Sequence, residues 1–310
     1  MRRLRGSLVP LALLTALAGC GGEDEPASTP TPAAGSSLAS APTPTPTGTS
    51  AEQALADGLR ALLAGPAVDF DHRTLSGATL LTDTTGRAFL DGGWSSTTSF
   101  DDAALGIVAP QGQDQQQDQQ QGGGTDYQMS VRATDEDVFI QLSSWSEPAA
   151  GCWLQMAPGE APIGLLAMTP ELPFYVGLLG TLHAVGFQPD DPSIIVARTQ
   201  LRSALLLLSG PVVQTLTLSA EQASRARVPV GVFTQDGVVT DVSVRGADVV
   251  AAVEEAGGTV PAETAEGLAP LDLTIHYQPS PSDAEQVTAP APGLVMTSAE
   301  LKSHGCGADN

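Results

Sequence analysis

The chain has 310 residues, with 13 Lys plus Arg against 35 Asp plus Glu and a formal net charge of −22. That balance excludes an ordinary nucleic-acid binder, which needs clustered basic side chains; the only lysine is Lys302. Hydrophobic residues make up 42% and aromatics 4%, so the chain is no disordered acidic tail, and its core must come mainly from Ala, Val, Leu and Ile.

Arg2, Arg3 and Arg5 precede an apolar run over residues 8–16, followed by Leu17-Ala18-Gly19-Cys20. This is a signal-peptide layout ending in cysteine, and it resembles a bacterial lipobox. It implies a signal peptide over residues 1–19 and a lipid-acylated Cys20 as the first mature residue. The protein is then lipid-anchored on the extracytoplasmic face of the bacterial cell membrane. An ordinary signal peptide and an uncleaved anchor are the alternatives, although the run is short for a bilayer span. Without the signal peptide the balance becomes 10 basic to 35 acidic, or −25.

Residues 20–50 read as a tether. Pro26, Pro30, Pro32, Pro42, Pro44 and Pro46 alternate with Thr, Ser, Ala and Gly, a composition that buries nothing and stays extended. At about 3.1 Å per residue it reaches at most roughly 90 Å. The Thr-Pro repeats also permit O-glycosylation.

Residues 51–310 are expected to form a single domain. Ser50 and Gln53 make a capping-box pattern ahead of Leu55, Leu59, Leu62 and Leu63 on one helical face, and Gly65-Pro66 ends that helix. Residues 68–100 are Thr-rich and β-branched, as strands require. Residues 111–124 follow as a Gln- and Gly-rich insertion, read as a solvated, mobile hairpin loop. Tyr127, Met129 and Val131 then alternate with Gln128, Ser130 and Arg132. Val138, Ile140 and Leu142 alternate with Phe139, Gln141 and Ser143. Asp236-Gly237 between two β-rich runs signals a hairpin. Leu271, Leu273, Ile275 and Tyr277 complete an antiparallel sheet with one apolar face.

Two apolar stretches, residues 172–187 and 203–220, lie between the strand groups. Pro173 and Gly210-Pro211 argue against membrane spans. As a helix, the first is apolar on more than one side. It serves either as an ordinary core helix, with His183 buried in it, or as one wall of an apolar cavity.

Once Cys20 is acylated, Cys152 and Cys306 remain. Outside the cytoplasm an even remainder favours a disulfide, which would pin the tail to the strand at Trp153; two free thiols are the alternative. His72, His183, His276 and His304 show no metal-ligand spacing. Asp71-His72 sits on a strand, where neighbours point to opposite faces. Asp69/Asp71, Asp135–137 and Asp190/Asp191 read as turns and solvated faces. No nucleophile elbow, His-Glu-x-x-His motif or phosphate-cradling glycine loop appears, so an enzyme and a cofactor are not expected.

These elements together resemble the actinobacterial LppX/LprG lipoproteins, which are related in fold to the lipoprotein carrier LolA. The residues carrying the likeness are 127–132 through 138–142, the strand at 151–156, the hairpin at 228–242, and 271–277 followed by 287–290. The resemblance covers roughly residues 51–298. It implies an α+β domain: a curved antiparallel β half-barrel with helices packed over its concave face. It also implies an apolar cavity that binds a lipid or glycolipid without covalent chemistry. Phe174, Leu178, Leu182, Met129, Ile140, Leu205 and Leu208 are the candidate cavity residues. A monomer is expected, held at the membrane through its anchor. The alternative is a non-enzymatic envelope sensor or scaffold acting through protein contacts, which predicts a filled core and an exposed apolar patch.

Overall fold

The computed structural model describes residues 50–101, 127–134, 136–156, 174–208, 210–298, 300 and 306, all within the unit Thr47–Asn310. Cys20, the tether up to residue 49 and the 111–124 insertion lie outside the described residues, as does the Phe174 side chain.

Helix α1, Ala51–Leu62, starts at Ser50, whose side chain accepts a hydrogen bond from the Gln53 N–H at 3.1 Å. The expected capping box is only half made: the Gln53 amide turns away to donate to Asp57 at 2.8 Å. An acid one turn on outcompetes the cap backbone for that donor. Leu55 and Leu62 are buried, and Leu59 and Leu63 pack beside the core.

Two antiparallel meanders follow. The first is β1 (Ala67–Ser76), β2 (Thr79–Phe89), β3 (Trp94–Phe100), β4 (Tyr127–Ala133), β5 (Val138–Leu142) and β6 (Trp153–Met156). The second is β7 (His183–Gln188), β8 (Asp191–Gln200), β9 (Arg227–Gln235), β10 (Val238–Arg245) and β11 (Leu271–Pro279). Pairing of β1 with β11 fuses them, and β12 (Val295–Met296) adds a parallel edge strand beside β6. The order is β12-β6-β5-β4-β3-β2-β1-β11-β10-β9-β8-β7.

Helix α1 packs against both β10 and β7, which stand three strands apart. The sheet therefore curls around the helix without closing. Further helices come from the second half: α2 (Phe174–Leu179), α3 (Leu201–Leu205), α4 (Gly210–Thr215), α5 (Ala220–Arg225), α6 (Gly246–Glu255) and α7 (Ala262–Leu268). The architecture is α+β, a large, mostly antiparallel, curled and open sheet with helices against it.

The alternation expected along the strands sets its two faces. On β1, Val68, Phe70, His72 and Thr74 are buried, while Asp69, Asp71 and Arg73 point outward. Val228, Val230, Val232, Val242, Val244, Leu273 and Ile275 carry the aliphatic face through β9, β10 and β11. The β9–β10 hairpin turns at Asp236-Gly237, where φ is 53° and 77°. Positive φ at both central residues matches the right-handed twist of the flanking strands.

One expectation is corrected. Residues 172–187 are not one helix: α2 ends at Leu179, Leu182 lies in the connection, and His183 begins β7, exposed rather than buried. The Thr181 hydroxyl ends the helix by donating to the Leu178 carbonyl at 2.8 Å, and bonds to Thr199 of β8 at 2.6 Å. Pairing with β8 then outweighs helical continuation, with His183 opposite Arg198.

The Cys152–Cys306 disulfide is present, with Cα atoms 5.6 Å apart. Between β11 and β12 the chain passes from one side of β1–β6 to the other, as a strap. It is held by Ser280 Oγ donating to Asp69 at 2.7 Å and, beyond β12, by the disulfide.

Candidate functional site

The concave interior is the first candidate. Met129 and Ile140 from β4 and β5, Leu178 from α2, Leu182 and Leu205 are buried in one continuous apolar cluster, with Leu208 packed at its margin. These six side chains are thus brought together between the sheet and its short helices.

Within this aliphatic surface lies a polar row that strand alternation alone does not reveal. His72 faces Thr84, and Thr84 faces Thr98, across β1, β2 and β3. Their exposures are 3%, 2% and 7%. The row is flanked by Ile275 on β11 and Met129 on β4. Thr84 and Thr98 bond hydroxyl to hydroxyl at 2.9 Å. Among the described residues, neither ring nitrogen of His72 has a hydrogen-bond partner. Burial pushes the His72 imidazole down to about 4, against the opposing pull of the Asp71 charge, so the ring is neutral.

Tyr175 of α2 covers this row. Its ring centroid lies 4.8 Å from that of Phe70 and 5.0 Å from that of His72. Burial raises its pKa, opposed only in part by the Thr84 hydroxyl, so the phenol stays protonated. Tyr277 of β11 donates its own hydroxyl to the Tyr175 carbonyl at 2.6 Å, holding α2 on the sheet. Gly86 makes room for this stack. A Cβ there would fall 2.4 Å from the Phe70 ring, so glycine lets Phe70 lie flat against β2 beneath Tyr175.

The opposite face of the sheet carries a polar groove of about 780 Å³, with Glu285 and Val287 of the strap lining it. Asp69 and Asp71, expected on turns or solvated faces, lie instead within β1 and line this groove. Arg87 binds Asp69 through two hydrogen bonds of 2.5 and 3.0 Å. Burial opposes ionisation of Asp69, but the bonds from Arg87 and Ser280 prevail and hold its carboxyl below the usual range. Arg132 stacks on the Trp153 ring at 4.7 Å and has no carboxylate partner among the described residues. Farther along, burial and the Asp71 charge push the Asp83 carboxyl up, against Arg73. His276 and Asp241 meet at 3.0 Å. These surroundings suit a ligand that hydrogen-bonds, not an acyl chain.

Sequence spacing missed both features. His72, Thr84 and Thr98 become neighbours only through strand register. The Asp69–Arg87 pair joins residues opposite each other across a hairpin, so its signal was the complementary charges on β1 and β2.

Among the described residues, no group of three or more His, Cys, Asp or Glu is placed to hold a metal ion, and no helix is long and apolar enough to cross a membrane. No protein-family model matches the chain, and no curated protein matches its sequence.

Proposed function

We propose that this is a membrane-tethered envelope lipoprotein that binds or ferries a lipid, glycolipid or other apolar molecule on its concave face. Cys20 supplies the anchor and residues 20–50 the reach. Binding is non-covalent: alkyl surface leaves water at about 25 cal/mol per Å². The half-barrel likeness to the LppX/LprG and LolA proteins belongs to this proposal.

The observation that carries it is the cover of the concave face. α2, α3, α4 and α5 are five or six residues long, too short to be stable alone. Their place depends on packing against the aliphatic sheet. A ligand that makes the same contacts replaces them, and the sheet edges stay open for the cover to swing aside. The apolar cluster is buried in the unliganded fold, so ligand binding and displacement of the cover are one event.

The test is mass spectrometry of the chain carrying Cys20→Ser, expressed in an actinobacterial host, with titration of a fluorescent acyl probe. A stoichiometric co-purifying lipid, or saturable uptake of the probe, supports the proposal. Neither lipid nor uptake overturns it.

A second reading, a sensor or scaffold working through protein contacts, is favoured by Val185 and Phe187, both exposed on the edge strand β7. It predicts that Val185→Lys abolishes complex formation in the envelope while leaving acyl-probe uptake unchanged.

A further inference from the structure

The geometry points to the row His72–Thr84–Thr98 as the head-group end of the ligand site. It would take the carboxylic acid or alcohol of a single acyl chain in place of the Tyr175 hydroxyl. This inference rests on the proposed binding of apolar ligands to the concave face and names their polar end.

Buried polar groups are almost always hydrogen-bonded, because desolvation without a partner is costly. Here an imidazole 3% exposed sits midway along an aliphatic face, with both nitrogens unpaired among the described residues. A purely structural core would place a leucine or valine there, as the neighbouring strands do with Ile275 and Val242.

Chemistry then selects the ligand. A neutral imidazole offers one N–H donor and one bare nitrogen acceptor, and a threonine hydroxyl offers both roles. A carboxylic acid or an alcohol can donate and accept in the same way. An ester only accepts, and a hydrocarbon does neither. One protic group of this kind, the Tyr175 phenol, already belongs to the ring that covers the row, 5.0 Å from the His72 ring. Tyr175 belongs to one of the short covering helices, so lifting α2 withdraws the phenol and uncovers His72 in the same motion. Ile275 and Met129 then flank the head group, with Leu178 and Ile140 in the same apolar cluster as surface for one chain.

The test compares palmitic acid, hexadecanol and methyl palmitate binding to the full chain with Cys20→Ser, in the wild-type background and with His72→Leu or Thr84→Val. The expected result is that acid and alcohol bind about tenfold more tightly than the ester, since the ester leaves a buried acceptor nitrogen unpaired, a penalty of that order. The preference falls to near parity in either variant. Equal affinity for acid, alcohol and ester in the wild type overturns the inference while leaving apolar binding standing. So does a proportional loss for all three probes in both variants, which would mark the row as structural only. Failure of the wild type to bind any of the three overturns the inference together with the proposal beneath it.

Discussion

His72 makes the stability of the domain depend on pH in a window where few other groups titrate. Its ordinary pKa of 6.5 is lowered to about 4 in the fold. Between these values the unfolded chain binds a proton that the folded chain refuses. The stabilising effect of keeping this histidine neutral is therefore complete above pH 6.5. It is lost as pH falls toward 4 and is constant below. At roughly 1.4 kcal/mol per pH unit, full passage through the window removes about 3 kcal/mol. Burial sets this sign: the Tyr175 and Phe70 rings and the Thr84 hydroxyl bring no charge to the ring, and the Asp71 charge, which favours the proton, opposes it without prevailing. The variant His72→Leu removes the titration and the unpaired nitrogens together. It should equal or exceed the wild type at pH 7, by up to about 2 kcal/mol, and lead it by a wider margin at pH 4.5. Urea unfolding followed by tryptophan fluorescence, with Trp94 buried in the core, measures both proteins across pH 4–7.5. A stability difference that stays constant from pH 7 to pH 4.5 would refute a neutral, buried His72.

Other substitutions test the remaining supports. Cys152→Ser with Cys306→Ser opens a link spanning 154 residues and should cost up to about 5 kcal/mol by loop-closure entropy, read as a lower urea midpoint. Gly86→Val drives a methyl into the Phe70 ring and should destabilise by about 1–3 kcal/mol, with loss of near-ultraviolet dichroism from the Phe70–Tyr175 stack. Asp69→Asn removes the ion pair with Arg87 and weakens the Ser280 bond. We expect a loss of about 1 kcal/mol at neutral pH, faster proteolysis of the strap, and no further penalty as pH falls below the carboxylate range, where the wild type loses the same contribution. Cys20→Ala should move the protein from the membrane to the soluble fraction; unchanged membrane retention would remove the anchor from the account.

The sheet was legible to the extent that its strands bury one face. Residues 129–133 and 271–277 alternate cleanly, whereas on β5 Phe139, expected on the wet face, is buried beside Val138 and Ile140; Asp236-Gly237 announced its turn because only a few residues accept positive φ twice running. The disulfide followed from cysteine parity. Residues 172–187 misled, since an edge strand with both faces partly exposed carries no clean alternation, and His183-Ala-Val-Gly-Phe looks as apolar as the helix before it. The joining of the two meanders through β1 and β11 depends on pairs 195 to 211 residues apart, which local patterning does not encode. The polar row was hidden for the same reason. Thr84 and Thr98 look like ordinary β-formers until pairing sets them beside His72, and only then does the row stand out against its aliphatic surroundings.

Photocrosslinking tests the central claim most directly. A diazirine-bearing palmitic acid, bound to the Cys20→Ser chain, irradiated and mapped by peptide mass spectrometry, reports where an acyl chain lies. The account predicts labels on α2, on α3 and on the concave positions of β1 to β5, competed away by unlabelled palmitic acid. Labels confined to the outer groove or to the exposed edge at Val185 and Phe187, or labels that no competitor removes, would contradict it.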